Sequence, residues 1–252
     1  GKRWPGGLSD EAATEELTKE LSALGVVSVD DVIGAPVAKP GRINAAALGY
    51  VERLCQEQAG WTESLIYLWG GVGVGRSHLL QAACLQLEQI NRQAVYLPLA
   101  ELVEHGPVLL DGLEHCDLLC LDDLDAVAGR ADWEEALFHL FNRLRDSGHR
   151  LLLSANAAPR ELPLGLADLQ SRLSQALVFQ MRELTEEDKL HALQLRASRR
   201  GLQLSDEVAA FMLNRGTRSM NALFELLEQL DQASLQAQRR LTIPFLKQTL
   251  GW

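Results

Sequence analysis

From Ile43 onward, short apolar runs alternate with amphipathic stretches. An amphipathic helix is predicted from Ile43 to about Gln58, then a strand over Ser64 to Trp69, a helix from Arg76 to Ile90 and a strand over Ala94 to Pro98. A broken helical segment reaches Gly112. It is followed by a strand at Asp117 to Asp122, a helix at Asp132 to Ser147, a strand at Arg150 to Ala155 and a short strand at Ala176 to Met181. Strands that alternate with helices in this way predict an α/β fold, a parallel five-stranded sheet flanked by helices.

The texture changes after Glu183, where only helical periodicity remains. Thr185 precedes a helix over Glu186 to Arg200, followed by helices at Asp206 to Arg215, at Ser219 to Arg240 and near the end of the chain. Residues 184–252 are therefore expected to form a small all-helical domain behind a core at residues 43–183. Residues 1–42 stand apart: a helix over Ser9 to Leu24 is closed by Gly25, and a Pro- and Gly-punctuated linker runs from Gly34 to Gly41.

Charge and composition narrow the functions this fold can serve. A net charge of -10 over 252 residues argues against broad charge-driven binding to duplex DNA or to an anionic membrane. Cys55, Cys84, Cys116 and Cys120 lie in apolar stretches, and no signal peptide or long apolar span appears, so core thiols and a cytoplasmic location are expected.

The segment that carries chemistry is Gly70, Gly71, Val72, Gly73, Val74, Gly75, Arg76, Ser77 and His78, which follows an apolar strand and opens a helix. Glycines at this spacing let successive N–H groups turn toward phosphate oxygens, and the helix N-terminus adds its positive end. This is the P-loop arrangement, with Ser77 placed to ligate Mg²⁺ and Arg76 standing where the pattern has Lys. A planar guanidinium in place of a compact ammonium still holds a phosphate, with a geometry that favours the diphosphate or slows hydrolysis.

Leu118 to Asp122 is an apolar strand that ends in two carboxylates. Asp122 is the residue expected on the metal side, and Asp123 stands at the position of a water-activating base. The shorter reach of Asp123 implies a weak intrinsic ATPase at most. Asn156, at the end of the strand Leu151 to Ala155, is a candidate to orient the γ-phosphate or attacking water, and Arg172 is a candidate arginine finger for the nucleotide of a neighbouring subunit. That last role also admits a homo-oligomer.

Tyr67 to Gly70, Gly73 to Cys84, Asp188 to Arg196 and Ala237 to Phe245 together resemble the DnaA family of AAA+ replication proteins, in particular its regulatory members that inactivate the initiator. The resemblance covers about four-fifths of the chain, from Asn44 to Trp252. It implies an ADP-bound adaptor that, with the DNA polymerase III sliding clamp loaded on DNA, stimulates ATP hydrolysis by DnaA and so limits re-initiation. It also implies that Arg172 is the finger, that Asn156 is the first sensor, and that Gly70 to Ser77 with Asp122 hold ADP or ATP and Mg²⁺.

The chain ends soon after its helical domain, where DnaA carries a helix-turn-helix domain, so sequence-specific DNA binding is not expected. Residues 1–42 contain neither the clamp-binding peptide resembling Q-L-x-L-P-L nor the aromatic-rich segment with which such proteins usually begin. In Arg218-Ser-Met-Asn221, Asn221 stands where the family's second sensor is often Arg. A helicase loader or transposition-type adaptor is the alternative reading. It would need a basic groove with stacking aromatics for single-stranded DNA, and only 6 % of the residues are aromatic. A small-molecule P-loop kinase fits the all-helical second domain poorly.

Overall fold

The computed structural model describes residues 44–56, 64–216 and 219–252. The helix and linker expected in residues 1–42, and Arg218, lie outside the described residues.

The five strands are β1 (Leu65–Trp69), β2 (Ala94–Pro98), β3 (Leu118–Asp122), β4 (Arg150–Ala155) and β5 (Leu177–Gln180). All neighbouring pairs are parallel, and the order across the sheet is β2-β3-β4-β1-β5. Every residue of β3 is buried, as its unbroken apolar run requires for a strand covered on both faces. The edge strand β5 alternates half-buried and exposed positions.

The helices of this unit are α1 (Ala45–Leu54), α2 (Arg76–Glu88), α3 (Leu99–Leu102), α4 (Ala131–Ser147) and α5 (Ala167–Leu173). The broken segment after β2 is α3 followed by three short 3₁₀ turns, which reach His115. Trp133, Leu137, Leu140, Phe141 and Leu144 recur at helical spacing along α4 and bury one face of it against Leu119, Leu121, Leu151 and Leu153 of the sheet.

Contacts group the described residues into two compact units, one over residues 46–182 and the other over Glu183–Trp252 with Asn44 and Ala45. The second contains α6 (Glu186–Arg199), α7 (Asp206–Arg215), α8 (Met220–Ala237) and α9 (Ile243–Leu250). α6 opens with a reciprocal cap: the Asp188 N–H donates to Thr185 Oγ1 at 3.2 Å and the Thr185 N–H to Asp188 Oδ2 at 3.3 Å. Leu193, Ala197, Met212, Leu223, Leu227, Leu230 and Leu246 form its own apolar core.

α8 ends at Ala237, three residues short of the expected Arg240, because Gln238 takes a left-handed conformation (φ 49°). The Arg239 N–H then donates to the Ser234 carbonyl at 3.1 Å. Such a stop usually calls for glycine, so Gln238 gives the sequence no signal of it.

Candidate functional site

The site is built at the C-terminal ends of β1, β3 and β4. Beyond Trp69 the chain turns sharply at Gly70, whose N–H donates to the Ala155 carbonyl at 3.3 Å. A Cβ on Gly70 would sit 2.5 Å from the Met181 carbonyl oxygen, so no other residue fits there without displacing backbone. Gly73 and Gly75 have φ of +82° and +92°, which glycine adopts without steric cost.

Around this loop the space is open. A Cβ added to Gly71, Gly73 or Gly75 would meet nothing within 4 Å, and Val72 is 92 % exposed, while the buried Val74 anchors the loop from below. Gly75 caps α2 with no side-chain acceptor for the first amides of the helix. A helix start with no side-chain cap, lined by glycines and facing open space, suits an anion.

Arg76 is buried, at 8 % exposure, and only half of its fork is paired. Nη2 lies 3.4 Å from Asp123 Oδ1, whereas Nη1 is buried with no hydrogen-bond partner. An orphaned guanidinium donor in a buried position is costly unless an acceptor reaches it. A phosphate oxygen in the glycine cradle has that chemistry, so the residues present fit a nucleotide diphosphate.

Asp122, at the end of β3, is almost wholly buried. One carboxylate oxygen accepts from the Tyr96 hydroxyl at 2.6 Å and the other from the Ser154 hydroxyl. Ser154 Oγ in turn accepts from the Asp123 N–H at 3.0 Å, which joins β3 to β4 directly behind the site. Burial pushes the Tyr96 phenol far above its ordinary value, and the Asp122 charge adds to this, so Tyr96 remains a donor.

Asp123 adopts a left-handed conformation (φ 53°), which an Asp tolerates better than most residues. Burial pushes its carboxyl above the ordinary carboxylate range, as does the neighbouring Asp122, and Arg76 pulls it part of the way back. Asp122 and the half-buried Ser77 could hold Mg²⁺. Among the described residues no group of three or more His, Cys, Asp or Glu is arranged to hold a metal ion. Mg²⁺ bound through one or two side chains and substrate phosphates needs no such group.

Asn156 is exposed just past β4, and its N–H donates to Asp125 Oδ1 at 2.8 Å. The next residue is held by the Tyr67 hydroxyl, which donates to the Ala157 carbonyl at 2.8 Å. His78 is half-buried on α2. Gly70 to Ser77, Asp122, Asp123 and Asn156 thus gather at one edge of the sheet. Arg172 sits apart from that chain of contacts, half-buried in the last turn of α5. Its guanidinium has no carboxylate partner among the described residues.

Sequence reasoning missed Tyr96 and Ser154. The signal for Ser154 was present: a hydroxyl inside the apolar run Leu151 to Ala155 needs a buried partner. Tyr96 gave no comparable signal, because a half-buried Tyr in an apolar strand reads as an ordinary packing residue whatever its hydroxyl meets. All four cysteines are buried, and the Cys55 thiol is pushed up to about 12 by burial, so it stays protonated.

The model for the bacterial DnaA ATPase domain matches residues 40–180, more than half of the chain. The chain belongs to the DnaA family. A second model, described as the Hda lid domain, matches residues 186–250. Together they make this an Hda-like, DnaA-family AAA+ protein, and its five-stranded parallel core followed by a helical lid is the fold expected of one.

Solved structures agree with the fold. Domain III of the Thermotoga maritima replication initiation protein DnaA aligns with a TM-score of 0.70 and 19% identity, over 88% of this chain and 94% of that one. AMPPCP-bound DnaA from Aquifex aeolicus aligns with a TM-score of 0.62 and 21% identity, over 78% of this chain and 64% of that one. A DnaA bound to AMPPCP and single-stranded DNA aligns with a TM-score of 0.62 and 20% identity, over 82% of this chain and 69% of that one. No helix among the described residues is long and apolar enough to cross a membrane.

Proposed function

We propose that this protein is an ADP-bound regulator that, together with the sliding clamp loaded on DNA, stimulates ATP hydrolysis by the initiator DnaA and thereby prevents re-initiation of replication. The observation that carries the reading is the pairing of a DnaA-type ATPase core with an Hda-type lid in one chain. The site supports it in two ways.

First, the cradle is suited to holding a diphosphate as a resident ligand. Arg76 offers its unpaired Nη1 to a phosphate oxygen, Gly71, Gly73 and Gly75 leave room for the phosphates, and Asp122 with Ser77 provides oxygen ligands for Mg²⁺. When bound, Mg²⁺ would neutralise phosphate charge. Asp123 is occupied with Arg76, which leaves it poorly placed to activate water, so intrinsic turnover is weak at most.

Second, Arg172 is a guanidinium free of any described carboxylate, held on a short helix of the core. Docked against ATP-loaded DnaA, it would stabilise the negative charge that develops on the transferred phosphoryl group. An arginine acting in this way accelerates hydrolysis on the order of 10³-fold or more in related systems.

The test measures ATP hydrolysis by ATP-loaded DnaA, with clamp loaded on DNA, on addition of this protein carrying ADP. Acceleration is expected with the native chain and not with Arg172→Ala. Should neither protein accelerate hydrolysis, even after a Q-L-x-L-P-L peptide is added at the N-terminus, the proposal fails.

A further inference from the structure

Glu134 lies on α4, outside the residues assigned to the site, and it is almost completely buried at 2 % exposure. No cation accompanies it among the described residues. Its carboxylate instead accepts three backbone N–H groups: Oε1 from Gly129 at 2.7 Å and Gly165 at 3.1 Å, and Oε2 from Leu166 at 2.7 Å. A buried carboxylate is tolerated only when its oxygens are filled in this way.

Two of those three amides belong to the segment that leads into α5. Leu166 is the N-cap residue of that helix, and the helix start has no side-chain cap of its own. Glu134 therefore supplies from α4 what the local sequence omits. Below that point, Leu169 and Leu173 of α5 are buried in the same apolar core as Leu137, Leu140 and Phe141 of α4. The helix is thus fixed to α4 along one side by packing and at its start by one carboxylate. Arg172 follows Leu166 by six residues, roughly 9 Å along a helix of 1.5 Å rise.

We propose that Glu134 is the positioning residue for Arg172: it clamps the Gly165-Leu166 amides and so sets the direction in which the finger leaves the core. The inference rests on the finger role proposed above. A guanidinium that must meet a partner's phosphoryl group loses its effect when displaced by about an ångström, so a fixed helix start is worth a buried charge here.

The experiment uses the full chain as Glu134→Gln. The two carboxylate oxygens face three donors, so an amide must turn its own NH₂ toward either the Leu166 N–H or the Gly129 and Gly165 pair. At least one backbone donor is then orphaned. Amide hydrogen exchange is measured across the chain, together with stimulation of DnaA ATP hydrolysis as a function of protein concentration. Exchange is expected to speed up at 165–173 with ADP binding unchanged. The maximal stimulated rate is expected to fall roughly tenfold or more, with little change in the half-saturating concentration. In an Arg172→Ala background, Glu134→Gln should cost nothing further.

Unchanged exchange at 165–173 overturns the clamp. A loss that appears only in the half-saturating concentration, or one that adds to that of Arg172→Ala, overturns the positioning role. Should Arg172→Ala itself leave stimulation intact, the finger reading falls on its own account and the positioning role falls with it, while exchange still decides whether Glu134 holds the helix start.

Discussion

Replacing Arg76 with Met separates a phosphate ligand from a structural cation. In the nucleotide-free protein Arg76 contributes one ion pair, at 3.4 Å to an Asp123 that is 36 % exposed, and solvent screening holds such a pair to about 1 kcal/mol or less. Against this stands the buried, unpartnered Nη1, whose desolvation costs about 1–3 kcal/mol. Arg76→Met removes both, so the nucleotide-free protein should be as stable as the native chain or more stable, by up to about 3 kcal/mol. With ADP the balance reverses. A charge-assisted hydrogen bond to phosphate is worth about 1.5–3 kcal/mol, so affinity should fall roughly ten- to hundredfold. At an ADP concentration one hundred times the native Kd, the native chain gains about 2.7 kcal/mol and the variant between about 0.4 and 1.4. Urea unfolding with and without ADP reads all four states. If Arg76→Met destabilises the nucleotide-free protein by several kcal/mol while keeping the native ADP shift, Arg76 is part of the scaffold and the cradle argument is wrong.

Three further outcomes are expected. Gly70→Ala should destabilise the nucleotide-free protein by about 1–3 kcal/mol through its clash with the Met181 carbonyl; Gly71→Ala, with open space around its Cβ, should leave unfolding unchanged and weaken ADP binding, and equal effects of the two on unfolding would refute the distinction. Tyr96→Phe removes the 2.6 Å hydrogen bond to a buried carboxylate and should cost about 1.5–3 kcal/mol in denaturant unfolding, with no cost if Ser154 alone satisfies Asp122. Asp123 has a carboxyl raised above its unfolded value, so the folded state holds its proton more tightly and the stability this contributes is present in acid and is lost as pH rises through the raised value. Thermal unfolding of Asp123→Asn against the native chain should therefore move in the variant's favour from about pH 4 toward neutrality, and a difference that runs the other way would reverse the sign of the shift.

What could be read in the sequence follows the range over which each signal acts. β1, β3 and β4 announce themselves because strands buried on both faces must be apolar over nearly their whole length. The phosphate loop does so because the turn demands glycines at fixed offsets directly after a strand. The end of α8 does not, since Gln238 adopts a left-handed conformation that glycine or asparagine would have advertised. The same limit governs the site. Gly70 to Ser77 and Asp122 are recognisable one segment at a time, whereas the hydroxyls on Asp122 come from residues 26 and 32 positions away.

Glu134 marks where that limit can be pushed back. It occupies the stripe of α4 that also carries Leu137 and Phe141, three and seven residues on, a stripe that is otherwise apolar. A carboxylate there must either break the helix face or find donors that no local pattern reveals. The donors it finds are main-chain amides at the start of α5, so one side chain converts a loop with no cap of its own into a fixed platform for Arg172. The polar residue that violates the pattern of its own helix is thus the one that links α4 to the proposed finger, and in this chain the departures from apolar patterning at Ser154 and Glu134 locate the supports of the site.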